Sequence, residues 1–240
     1  MDVILIRNKI SKGVGIKNMD MSKRGERAVC LFVILMAGIV FLAGCQGVYY
    51  KTMETFGKHK RDILVSRVEN ARDAQETAKV QFKSALEKFS SVVNVAPSDL
   101  QDKYNQLKSE LDRSEEKAKA VSERIAEVES VANDLFDEWR NELGEYTNKD
   151  LRRASEQKLK QTRGKYDQLI VAMKQAEQKI DPVLSAFRDQ VLFLKHNLNA
   201  QAVASLQGEL VSIESNVAVL IKEMDASIAK ANAFINSMTD

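Results

Sequence analysis

The residue in this chain with the clearest chemical potential is a cysteine that closes an apolar stretch near the start. It ends the sequence Leu42-Ala43-Gly44-Cys45, whose small residues leave the backbone open to a peptidase. A cysteine thiol is a nucleophile, so this position can accept an alkyl group. The preceding run 28–41 carries no charge and follows basic residues within 23–27, which is the order found in a secretory signal peptide.

The four residues ending at Cys45 resemble the lipobox of bacterial lipoproteins. This resemblance implies cleavage after Gly44, with Cys45 as the first mature residue and lipid on its sulfur and amino group. Two or more acyl chains give stable membrane anchoring. Gln46 replaces the aspartate of an inner-membrane retention signal, which favours the outer membrane and a periplasmic location. The alternative is an uncleaved inner-membrane anchor, because the apolar run counted on to Cys45 approaches the roughly 20 residues of a spanning helix.

These features predict three parts of the chain. Residues 1–44 form the lipoprotein signal peptide, 45–57 the lipid-anchored start of the first helix, and 58–240 a helical coiled-coil domain. Residues 1–20 make an unusually long prelude, and a start at Met21 would give a well-proportioned signal peptide.

Two polar clusters in the helical part are candidate binding sites. Lys58, Lys60 and Arg61 follow the anchor closely, where basic side chains are attracted to anionic headgroups or an anionic envelope polymer. The alternative is a solvated helix face.

The second cluster comprises Arg188, Lys195, His196 and Asn197, near a predicted turn far from the membrane. It is a candidate tip for a protein partner. Helix pairing and turn capping explain these residues equally well.

The remaining pattern favours neither a metal site nor a catalytic site. His59 and His196 are far apart in sequence and have no ligand triplet nearby. The Gly-Lys pairs at 57–58 and 164–165 lack the rest of a phosphate-binding loop. No Ser-His-Asp arrangement stands out, so we expect no cofactor, no small-molecule substrate and no enzymatic activity.

The charge balance argues against nucleic acid as a partner. Residues 1–44 hold seven basic and three acidic residues, which leaves 29 basic and 31 acidic residues after them, a net charge of −2. A nucleic-acid-binding domain is expected to be basic. After cleavage only Cys45 remains as a cysteine, and a single thiol cannot form an internal disulfide.

Apolar and small residues recur in four stripes with alternating steps of three and four residues, which is a heptad pattern. The stripes run from Leu64 to Ala96, Leu100 to Trp139, Leu159 to Leu194, and Val203 to Met238. No segment has the alternation of a strand. The sequence therefore predicts an all-α protein built from four long helices.

Short connections at Pro97, Gly144 and Asn197 separate these stripes, and consecutive helices joined by short turns pack antiparallel. We therefore predict an elongated antiparallel four-helix bundle, or long coiled-coil hairpins that complete their core in a dimer. An even number of passes places the C-terminus and the turn at Gly144 at the membrane end. Pro182 interrupts the third stripe without changing its phase, so we expect a kink, with a new helix capped by Asp181 as the alternative.

Two blocks of sequence resemble a bacterial envelope family, catalogued as domain of unknown function 2959. The first block comprises residues 60–65, 71–75 and 81–82, and it begins Lys60-Arg61-Asp62. The second block is residues 187–200, beginning Phe187-Arg188-Asp189. The resemblance covers the mature chain and implies a helical, lipobox-bearing protein of Gram-negative bacteria. It implies no activity and no functional residues.

Together these observations predict a lipid-anchored, non-enzymatic helical scaffold of the periplasm, attached to the outer membrane through Cys45. It would bind a protein partner or a second copy of itself through its heptad stripes. The alternative is a regulatory binding partner of a cell-envelope or cell-wall enzyme.

Overall fold

A computed structural model describes residues 59–92, 99–197 and 200–239, and these residues form helices and short connections with no strand. All of them belong to the part of the chain from Lys58 to Asp240. None of the helices described has both the length and the apolar character needed to cross a membrane. The helices are α1 Lys60–Val92, α2 Leu100–Glu142, α3 Lys149–Gln178, α4 Ile180–His196 and α5 Ala200–Thr239.

The predicted stripes form the core. In α1 every stripe residue from Leu64 to Val92 is buried, including Gln75 and the small residues Ala71, Ala78 and Ala85. The stripes of the other helices are also buried along most of their length. Tyr104, Trp139, Leu159, Gln190 and Leu210 are only half-buried, whereas Val203 and Ala96 lie outside the side chains that the structure describes.

The helices pack antiparallel and close into one bundle. Helix α1 packs against α2 and α5, and α5 also packs against α3 and α4. The direction follows from two contacts between α1 and α5: Arg72 donates to Asn232 at 3.2 Å and Lys79 pairs with Asp225 at 2.8 Å. The first and last helices therefore meet within one chain. With α3 and α4 together counted as the third of four antiparallel segments, the predicted all-α four-helix bundle is confirmed.

The third pass along the bundle consists of α3 and α4, and one residue interrupts it. Lys179 separates α3 from α4, and its N–H donates to the Ala176 carbonyl, three residues earlier, at 3.1 Å. Pro182 is the third residue of α4; it has no N–H, and its ring crowds the carbonyl four residues before it. Because Ala176, Ile180 and Val183 all remain buried, the stripe continues through the interruption. The helix itself is divided at Lys179: α4 begins at Ile180, so Asp181 lies inside α4 and does not cap it, and Pro182 is its third residue rather than its first.

The N-terminus of α3 and the C-terminus of α2 are capped in different ways. Asn148 caps α3, since its Oδ1 accepts from the N–H groups of Asp150 at 2.9 Å and Leu151 at 3.2 Å. Helix α2 ends at Glu142, and its C-cap residue Leu143 keeps right-handed helical angles. Gly144 therefore follows the helix end as predicted, without forming a left-handed cap.

Candidate functional site

The described residues carry no group of three or more His, Cys, Asp or Glu side chains placed to hold a metal ion. His59 precedes α1 and His196 is the last residue of α4, so the two histidines lie at opposite ends of the bundle. The remaining candidates are the polar groups in the core and the residues at the two ends of the bundle.

One polar cluster joins α1 to α2 in the half of the bundle that is farther from the start of α1. Gln81 donates through Nε2 to the Glu110 carboxylate at 2.7 Å and approaches the Ser114 hydroxyl at 3.4 Å. Ser114 in turn donates to the Glu110 carbonyl at 2.8 Å. The burial of Glu110 was not predicted, although its position three residues after Leu107 and four before Ser114 places it beside the stripe. These groups bond one another across the interface, which is a structural role.

A second polar pair lies deeper in the core. Ser227 on α5 donates to the Gln75 Oε1 atom of α1 at 2.8 Å, and both side chains are fully buried. The Gln75 amide nitrogen has no hydrogen-bond partner among the described residues. A buried amide without a partner is costly, so this layer reduces the stability of the core it occupies.

Exposed and half-exposed ion pairs connect the helices at other positions along the bundle. The Lys79 amine bonds Asp225 of α5 and Glu76 of its own helix, and these bonds raise its pKa. Lys174 of α3 is 2.9 Å from Glu129 of α2, and this bond raises the pKa of the lysine. Such contacts fix which helices are neighbours more than they add stability.

An aromatic group fills the core near the end where α1 begins. Tyr166 of α3 lies edge-on between Phe136 of α2 and Phe234 of α5, with ring centroids 5.4 and 6.5 Å away. Burial, reinforced by the nearby Glu129 carboxylate, raises the pKa of Tyr166 to about 12. The neutral phenol therefore fits this site and the phenolate does not.

We call the end of the bundle where α1 begins the proximal end. There Lys60 pairs with Glu138 at 3.0 Å, and Arg61 donates to the backbone carbonyl of Met238. Two members of the predicted basic cluster thus connect α1 to α2 and α5. Lys58, the third member, lies outside the described residues.

The proximal end also carries the turn between α2 and α3 and the first half of α3. Trp139 donates to the Ser155 hydroxyl at 2.8 Å across this hairpin. We call residues 149–165 the basic stretch, because they contain seven lysines and arginines against two acidic residues. We did not predict a site here from the sequence, because a run of charged residues in a helix is ordinarily a solvated face.

The opposite, distal end contains the predicted partner tip. Lys195 and His196 are exposed in the last turn of α4, and Asn197 donates through Nδ2 to the Phe193 carbonyl at 2.9 Å. Arg188 lies two turns before this end, where its guanidinium is 2.6 Å from Glu115 of α2. The structure therefore brings three of the four residues together at the tip and assigns Arg188 to the side of the bundle.

The residues of the predicted lipidation site, Leu42, Ala43, Gly44 and Cys45, lie outside the described residues, so their assignment remains a prediction.

Comparison with known proteins supplies the family. No curated protein and no solved structure matches the chain. The family model described as "Protein of unknown function (DUF2959)" matches residues 49–238, which is most of the chain and includes all five helices to within one residue. The chain therefore belongs to the DUF2959 family.

Proposed function

We propose that this protein is a non-enzymatic, lipid-anchored helical scaffold of the periplasm that carries a binding tip away from the outer membrane. The observation that carries the proposal is the arrangement of the two ends. Helix α1 begins at the proximal end, and α4 ends with His196 at the distal end. At 1.5 Å per residue, the 43 residues of α2 span about 64 Å. A bundle of this length can hold a partner at a defined distance from its anchor.

The lipobox-like sequence supports the anchored part of the proposal. Cys45 would carry the lipid, and it precedes Lys60 by only 15 residues. The proximal end would then be held near the membrane and the distal end would face the periplasm. Gln46 after the cysteine favours the outer membrane over the inner membrane.

The buried polar side chains bond other helices of the bundle, which supports a scaffold in preference to an enzyme. Gln81, Glu110 and Ser114 bond one another between α1 and α2, and Gln75 bonds Ser227 between α1 and α5. These groups hold helices together, and their hydrogen-bonding capacity is largely used within the core.

Site-specific photocrosslinking in intact cells tests the binding tip. A photoreactive residue is placed at His196 in the full-length protein, and a matched control is placed at Lys222, an exposed residue about midway along α5. We expect a discrete crosslinked product from position 196, none from position 222, and loss of the product when Cys45→Ala removes the anchor.

Equal crosslinking from both positions, or none from position 196, would contradict a distal partner. If the product contains a cell-wall enzyme whose activity changes when Lys195 and His196 are replaced by alanine, the scaffold acts as a regulator of that enzyme. If it contains a second copy of this chain, the tip serves self-association.

A further inference from the structure

The basic stretch gives the proximal end a charge that the neighbouring helix does not have. Residues 149–165 carry seven basic and two acidic side chains, whereas the 43 residues of α2 carry seven basic and twelve acidic ones. The chain after residue 44 is slightly acidic in total, so this concentration of positive charge is local.

Much of this charge is available to a partner. Arg152 and Arg153 form pairs within their own helix, with Glu156 at 3.2 Å and Asp150 at 3.5 Å. Lys149, Lys158 and Lys160 are exposed and form no ion pair with a described residue. The neighbouring carboxylates therefore neutralise only part of the charge.

The basic stretch extends beyond the described parts of α1 and α5. Lys60 pairs with Glu138, so the described part of α1 begins level with the end of α2. Arg61 bonds the Met238 carbonyl, so α5 ends at the same level. The residues of α3 before Ser155 lie past this level, where α2 is their neighbour, and all of 149–154 are exposed.

Apolar groups accompany the charge. Leu151 and Tyr146 are 58% and 40% exposed. An open groove of about 200 Å³ lies between α2 and α3. Phe136, Leu143 and Arg163 are among the residues that line it, and the Arg163 guanidinium lies 5.1 Å from the centroid of the Phe136 ring.

Basic side chains next to exposed apolar ones are typical of a surface that lies against an anionic bilayer. We propose that the proximal end, through the basic stretch and Leu151, binds the anionic phospholipid headgroups of the membrane that holds the anchor. This inference rests on the proposed anchoring. Lys60 lies fifteen positions after Cys45, and a chain of that length reaches at most about 50 Å. The tether thus keeps the basic stretch close to the bilayer, which favours a contact too weak to form by itself.

The contact would fix the orientation of the bundle. A tether alone allows the scaffold to lie at any angle to the membrane. A second contact at the proximal end would favour arrangements in which Lys195 and His196 point away from the lipid.

Fluorescence quenching in vesicles tests the proposal with the full-length, lipidated protein. An environment-sensitive dye is attached to a cysteine introduced as Gln157→Cys in the basic stretch, and a control dye is attached through Glu214→Cys on α5. Both positions are exposed. The vesicles contain phosphatidylcholine alone or with phosphatidylglycerol, together with a lipid whose headgroup carries the quencher.

We expect the dye at position 157 to be quenched severalfold more in vesicles with phosphatidylglycerol, and we expect high salt to remove the difference. The dye at position 214 should respond equally to both vesicles. The triple variant Lys149→Gln, Lys158→Gln, Lys160→Gln should lose the difference. A matched variant with the same charge change, Lys108→Gln, Lys119→Gln, Lys222→Gln, should keep it, and helical content measured by circular dichroism checks that both variants fold.

Equal quenching of position 157 in both vesicles would overturn the proposal, as would a loss of the difference with both triple variants. A response of the dye to a soluble anionic polymer but not to anionic vesicles would also overturn it. The intact mass of the same sample reports separately whether Cys45 carries lipid, so a failed anchor and a failed headgroup contact are distinguishable.

Discussion

Replacing Gln75 and Ser227 together should stabilise the bundle, whereas replacing Ser227 alone should destabilise it. Both side chains are fully buried, and the Ser227 hydroxyl donates to Gln75 Oε1 at 2.8 Å. The Gln75 Nε2 atom has no partner among the described residues. A buried polar group without a partner costs about 1–3 kcal/mol, while a satisfied hydrogen bond contributes about 0.5–1.5 kcal/mol net.

These values set the expected changes. Ser227→Ala leaves the Gln75 Oε1 atom unpaired as well, so the free energy of unfolding should fall by about 1–3 kcal/mol. In Gln75→Met with Ser227→Ala, all three polar side-chain atoms of the layer are gone and the flexible methionine fills a similar volume. The double variant should be about 1 kcal/mol more stable than the natural protein, because the removed penalty exceeds the lost hydrogen bond.

Urea unfolding, followed by far-ultraviolet circular dichroism, measures the free energy of unfolding of the natural protein and of each variant. The chain from residue 46 onward is used. The effects should be strongly non-additive because the two residues are in contact. Ser215→Ala, at an exposed position on the same helix, is the matched control and should change stability little. The reasoning is refuted if Ser227→Ala is neutral and the double variant is less stable than the natural protein by 1 kcal/mol or more.

Three further predictions concern packing, capping and pH. Ala78 is fully buried, so Ala78→Leu should destabilise the bundle by about 1–3 kcal/mol in urea unfolding, whereas Val80→Leu, at an exposed position, should not. Asn148→Ala removes two N-cap bonds and should cost about 1 kcal/mol, compared with no change for the exposed Asn133→Ala. Burial raises the pKa of Tyr166 to about 12, above the ordinary value of 10.0 that the unfolded chain is expected to have. Its contribution to stability is therefore complete below pH 10 and falls as the pH rises towards 12. Between neutral pH and a pH of about 11, the free energy of unfolding of Tyr166→Phe should fall by roughly 1 kcal/mol less than that of the natural protein. An identical pH dependence of the two proteins would contradict a buried phenol.

The stripes were predictable because packing four helices selects residues every three or four positions. Buried residues such as Leu64, Phe82 and Leu169 follow directly from that spacing. The pattern is less informative near the ends of the passes. Trp139 and Leu159 continue their stripes but are only half-buried, since they lie where the described parts of α1 and α5 end.

Other features depend on tertiary contacts, which the spacing of apolar residues in the sequence does not predict. Glu110 resembles the many solvated glutamates of α2, and its burial is favourable because its carboxylate bonds Gln81 of α1 and Arg113 of its own helix. The interruption at Lys179 comes three residues before Pro182, because the ring of proline disturbs the preceding turn. The positive charge of the basic stretch can be read from the sequence, but its exposure depends on where the described parts of α1 and α5 lie beside it.

We propose that Cys45 anchors the bundle to the outer membrane, and intact mass spectrometry combined with membrane fractionation tests this, with Cys45→Ala as the comparison. We expect the native protein to be a triacylated chain that begins at Cys45 and is found in the outer-membrane fraction, and we expect this species to be absent from the variant. A mass that retains residues before Cys45 would show that the lipid anchor is wrong, because the run 28–41 would then be the anchor.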